Sequence, residues 1–160
     1  MGVLNIKKEM ALSSVGEGSV IVHSTNASGV WESECDKFLK TEYPKAFERY
    51  SEHCRSNIKR MILGTSCVSE CNGVYIVSLI CSEGYGRDQD STYSILSKTI
   101  HSVGHAIYNM YHLYGKIPGE IYSLELSRED FRVHWNYTYT PLSRVVIQTP
   151  DLVWNVCGGV

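Results

Sequence analysis

The residues best placed to do chemistry lie where a short apolar run gives way to small polar side chains. Val20, Ile21 and Val22 are β-branched and uncharged, the pattern of a buried strand. His23-Ser24-Thr25-Asn26-Ala27-Ser28-Gly29 follow, then the apolar pair Val30 and Trp31. From Glu32 the spacing turns helical: Ser33 is a cap-type residue, and Cys35, Phe38 and Leu39 share one face. A strand, a polar loop and a helix start aim free backbone N–H groups and the positive helix end at one place, which suits a phosphate. The same pattern also makes an ordinary strand-to-helix connection, so residues alone leave both readings open.

Other constellations are incomplete. His101 and His105 stand four apart in a helix-patterned stretch, and Cys67 and Cys71 form one thiol pair. Neither completes a four-ligand set, so no metal and no cofactor is expected. Cys35 sits at a helix start, where a thiolate is stabilised, but no base is defined beside it. Eleven tyrosines could stack on bases, yet no basic stripe accompanies them and the formal net charge is -2. Nucleic acid and an anionic membrane are therefore not expected partners. No apolar run approaches the ~20 residues of a membrane helix, and the first residues lack the apolar core of a signal peptide. The expected location is cytoplasmic or nuclear, with the six cysteines reduced.

The elements that must position these residues can be read from periodicity. The 160 residues suit one domain, expected over residues 1–150, with 151–160 as a loose tail ending in Gly158 and Gly159. Residues 3–7 read as a first strand, and Pro44 splits an amphipathic stretch into two helical pieces. Residues 60–68 and 74–81 read as strands joined by a turn at Asn72-Gly73. A long helix follows, with Tyr93, Leu96, Ile100, Val103, Ile107, Met110 and Tyr114 at steps of three and four and Gly115 as its stop. Residues 120–126 read as a strand. Residues 136–141, rich in Thr and Tyr and ending in Pro141, support only a turn or two of helix, and 145–148 read as the final strand. This order predicts an α/β fold, a three-layer α/β/α sandwich around a mixed central sheet.

Strand-His23-Ser24-x-Asn26-x-x-Gly29-x-Trp31, followed by Tyr43-Pro44-Lys45-Ala46, resembles the opening of a macro domain. The likeness is to the branch holding ADP-ribose 1''-phosphate phosphatases and terminal ADP-ribose glycohydrolases. A second anchor is Phe131-x-Val133-x-Trp135, where that branch has Phe-Gly-Val-Pro-Trp. The resemblance implies ADP-ribose lying across the strand ends, with Asn26 on the distal ribose and Phe131 packed against it. Gly29, Trp31, Ser33, Glu34 and Cys35 would line one phosphate loop, and Gly84, Tyr85, Gly86 and Arg87 the other. It implies catalysis by His23 and Asn26 with a loop carboxylate, Asp88 or Asp90, or by Asp130 on the last loop.

Three positions depart from the pattern. Met10 stands where the branch has an adenine-recognising aspartate, with Glu9 beside it. Glu32-Ser33-Glu34-Cys35-Asp36 replace Gly-x-Gly-Ile-Ala, and the loop before Phe131 is shorter. A carboxylate ~4 Å from a phosphate costs about 4 kcal/mol at an effective dielectric of 20. Two functions are thus expected. One is a module that binds ADP-ribose, ADP-ribose 1''-phosphate or an ADP-ribosylated protein, with hydrolysis of the phosphate or an ADP-ribosyl bond. The other is a degenerate, non-catalytic protein-interaction module.

Overall fold

The computed structural model describes residues 1–85, 90–116, 119–126, 135–149 and 151–160. Among these, six strands form one sheet in the order β1-β6-β5-β2-β4-β3. They are β1 (Val3–Ala11), β2 (Val20–Asn26), β3 (Ser66–Cys71), β4 (Val74–Ser82), β5 (Glu120–Ser123) and β6 (Val153–Gly159). All neighbouring pairs are parallel except the β3–β4 hairpin. The carboxyl ends of β1, β6, β5, β2 and β4 therefore share one rim, the place where parallel sheets hold ligands.

Each face of the sheet is covered. On one side lie α1 (Glu34–Glu42) and α2 (Pro44–Arg55), whose Cys35, Leu39, Ala46 and Tyr50 pack on Ile21, Ile76 and Cys157. Ser33 caps α1 by accepting from the Asp36 amide at 3.0 Å, and Pro44 opens α2 as the sequence predicts. On the other side lie α4 (Thr92–Tyr114) and α5 (Trp135–Gln148), whose Ile95, Val103, Met110, Leu142 and Val146 pack on Val22, Val77, Leu79, Trp154 and Val156. Gly115 ends α4 in the left-handed region at φ +61°. The three-layer α/β/α arrangement and the mixed sheet are as expected.

Four local expectations are corrected. Residues 60–63 are not strand: α3 (Lys59–Ile62) is a single helical turn, and β3 begins at Ser66. Tyr93 is not on the core face of α4 but 83% exposed. Residues 145–148 close α5, whose Thr138, Leu142 and Val146 recur every four residues and are buried. Packing of that face outweighs poor intrinsic propensity and the interior Pro141. The final strand is the supposed tail: β6 lies between β1 and β5, with Trp154 fully buried and its Nε1 donating to Ser123 Oγ at 2.7 Å. Gly158 is required there, since a Cβ would stand 1.9 Å from the Lys8 carbonyl oxygen.

Candidate functional site

The loop after β2 is built around Asn26. Its Oδ1 accepts from the Ser28 amide at 2.9 Å and from the Tyr50 hydroxyl at 3.1 Å, and its Nδ2 donates to the Val30 carbonyl at 2.8 Å. Tyr50 also donates to the Asn26 carbonyl at 2.6 Å. Gly29 takes φ +79°, which a side chain rarely adopts, so its place in the motif has a backbone cause. The loop is stitched to the end of β4: the Ala27 amide donates to the Ser82 carbonyl at 2.7 Å, and Ser28 Oγ donates to the Glu83 carbonyl. Beyond it, Ser82 Oγ donates to the Gly84 carbonyl at 2.9 Å and the Glu83 amide to Asp90 at 3.1 Å. The loops that follow β2 and β4 are thus braced against each other at the rim.

His23 sits in the middle of the buried part of β2, 2% exposed, rather than at an open strand end. Its Nδ1 is 2.7 Å from Asp36 Oδ1 in the first turn of α1, and its Nε2 is 2.7 Å from Ser78 Oγ on β4. With Nδ1–H donating to the carboxylate and Nε2 accepting the serine hydroxyl proton, the hydrogen-bonding capacity of all three groups is met. The carboxylate against His23 is therefore Asp36, not Asp90, which is held by the Glu83 amide. Trp31 meets the His23 ring edge-on at 4.7 Å and stacks on Tyr50 at 5.0 Å, closing the array from the loop side. The residue types and order are those of a hydrolase relay, but Ser78 is 2% exposed in mid-strand. Buried in mid-sheet, the array ties β2 to β4 and to the first turn of α1.

The remaining expected residues divide by environment. Glu32 and Glu34 are exposed, whereas Cys35 and Trp31 are buried and Ser33 is half-buried as the cap. Met10 is half-buried against the core under α1, and Glu9 is exposed on β1. Tyr85 is exposed at the rim. Gly86, Arg87, Asp88, Asp130 and Phe131 lie outside the described residues. Among the described residues no cluster of His, Cys, Asp or Glu could hold a metal ion, and no helix is long and apolar enough to cross a membrane. Asp36 is the residue that sequence reasoning missed. Its signal was a Ser-x-x-Asp cap spacing facing a histidine on an apolar strand.

No protein-family model matches the chain. The macrodomain of Mycobacterium tuberculosis DarG superposes with a TM-score of 0.76 over 98% of both chains, at 15% identity. The chain has the macrodomain fold. The macrodomain of Thermus aquaticus DarG superposes at 0.73 over 98% of this chain and 99% of that one, at 14% identity. Thermosipho africanus DarTG, solved in complex with ADP-ribose, matches over 87% of this chain and 38% of its own chain at a TM-score of 0.67 and 11% identity. In sequence, an ADP-ribose 1''-phosphate phosphatase of Meyerozyma guilliermondii is 24% identical over 119 residues, which cover 66% of this chain and 68% of that protein.

Proposed function

We propose that this macrodomain binds ADP-ribose, ADP-ribose 1''-phosphate or an ADP-ribosyl group carried on a protein, in the crevice above the carboxyl ends of β2, β4 and β5. The observation that carries the reading is the braced loop pair after β2 and β4, a rigid backbone cradle at the start of a capped helix. The resemblance to the phosphatase and the ADP-ribose complex of a neighbouring fold supply the ligand class. His23 has no part in hydrolysis on this reading, since both ring nitrogens are engaged inside the protein. Any turnover of the phosphate would draw on rim carboxylates.

A second reading is a protein-binding module that has lost its nucleotide site. One observation favours it: Asn26 uses its amide within its own loop. Calorimetric titration with ADP-ribose at low salt separates the two. A micromolar dissociation constant supports the first, and phosphatase and glycohydrolase assays then follow. No heat at millimolar ligand overturns it in favour of the second.

A further inference from the structure

The single turn α3 presents a surface that the crevice does not use. Ile62 is its inward residue, 3% exposed and packed with Ala27 and Ile80. The turn is pinned to the sheet by the Gly64 amide donating to the Ile80 carbonyl at 2.8 Å and by Thr65 Oγ1 donating to the Ile62 carbonyl at 2.6 Å. With Ile62 facing in, Ile58 and Met61 stand out at 70% and 74% exposure, one turn apart. Arg55, Lys59 and Arg60 surround them, all exposed. None of the three forms an ion pair with another described residue. From His53 to Ser69 there is no acidic residue, in a chain whose net charge is -2.

The inward face of α3 rests on the loop that follows β2. Ala27, which shares a small core with Ile62, is the residue whose amide is bonded to Ser82 at the rim. We infer that α3 is a docking surface for the polypeptide that carries the ADP-ribosyl group, and that this polypeptide is acidic with apolar side chains. Unpaired cations favour an anionic partner, and two aliphatic tips favour one with apolar groups to bury. A nucleic acid would satisfy the charge, but the patch has no aromatic residue on which a base could stack. The inference rests on the proposed ADP-ribose reading for what occupies the crevice, not for the patch itself.

The test uses three fluorescent probes at low salt: a Glu/Leu-rich peptide carrying one ADP-ribosyl group, the same peptide unmodified, and an ADP-ribosylated single-stranded oligonucleotide. Each is measured against the whole chain and against Ile58→Ser/Met61→Ser and Lys59→Glu/Arg60→Glu variants, with free ADP-ribose as reference. The modified acidic peptide should bind on the order of tenfold more tightly than free ADP-ribose, and both variants should lose that gain while binding free ADP-ribose normally. The unmodified peptide should bind weakly to the wild type and not to the variants. That arm keeps the patch testable if free ADP-ribose fails to bind, an outcome that sinks only the nucleotide reading. Equal binding of the acidic peptides to wild type and variants overturns the inference. So does a gain confined to the oligonucleotide.

Discussion

The buried Asp36–His23–Ser78 array makes a sharp stability prediction. In His23→Ala, Asp36, itself 3% exposed, keeps a buried carboxylate with no partner, and Ser78 loses its acceptor. Breaking one side of a buried pair costs about 3–5 kcal/mol. That loss of about 3–5 kcal/mol stands against a total stability of about 5–15 kcal/mol for a typical domain. At about 2–4 °C per kcal/mol for a chain of this size, the melting temperature should fall by roughly 10 °C. Ser78→Ala removes one hydrogen bond and should cost about 1 kcal/mol. Asp36→Asn keeps an acceptor for Nδ1–H and should lie between the two. Urea and thermal unfolding followed by circular dichroism measure all three, and the double variant tests coupling: Ser78→Ala should cost less once His23 is gone. An exposed catalytic histidine behaves otherwise. If His23→Ala melts within about 2 °C of wild type, and the two substitutions simply add, His23 does not hold the sheet to α1.

Three further predictions concern other elements. His105 Nδ1 accepts from the Ser66 amide at 2.9 Å, and burial lowers its pKa from the usual histidine value, so the folded protein resists the proton that the unfolded chain accepts. The His105 contribution to the unfolding free energy should therefore be constant above pH ~6.5 and decline as pH falls below it, so denaturant midpoints should fall less between pH ~7 and ~5 in His105→Gln than in wild type, with half-buried His53 adding a like decline to both. Pro141→Ala restores an amide donor inside α5 and should stabilise the fold by about 1–3 kcal/mol, read from the denaturant midpoint at constant slope. Gly158→Ala would place a Cβ 1.9 Å from the Lys8 carbonyl oxygen, so β1 and β6 should separate, with rapid hydrogen exchange at residues 3–7 and 153–157.

Local signals that act within a few residues were readable in the sequence. Ser33 is the cap, Pro44 divides α1 from α2, Gly115 stops α4, and Asn72 and Gly73, at φ 51° and 85°, make the tight hairpin turn. The signals that failed depend on distant partners. Val145, Val146 and Ile147 read as strand because β-branched residues favour it, yet the Thr138–Leu142–Val146 stripe finds a core only as helix. Val153, Trp154 and Val156 read as tail because two glycines follow them, although the first, Gly158, admits the neighbouring backbone of β1. At the site, the motif located the right loop but not the direction of its side chains. Asn26 and His23 turn inward to Tyr50 and Asp36, a choice made by helices that lie downstream in sequence.

The placement of β6 also governs when the sheet can form. β1 is the first strand of the chain, and its sheet neighbour is β6, the last. During synthesis residues 3–11 must remain unpaired until residues 153–159 have left the ribosome, and β5 waits with one edge open for the same reason. Closing so long a loop before any reward from pairing slows folding and lengthens the exposure of unpaired edges. Lys7, Lys8 and Glu9 on β1 then protect the nascent chain, because charges on a waiting strand discourage it from pairing with another molecule.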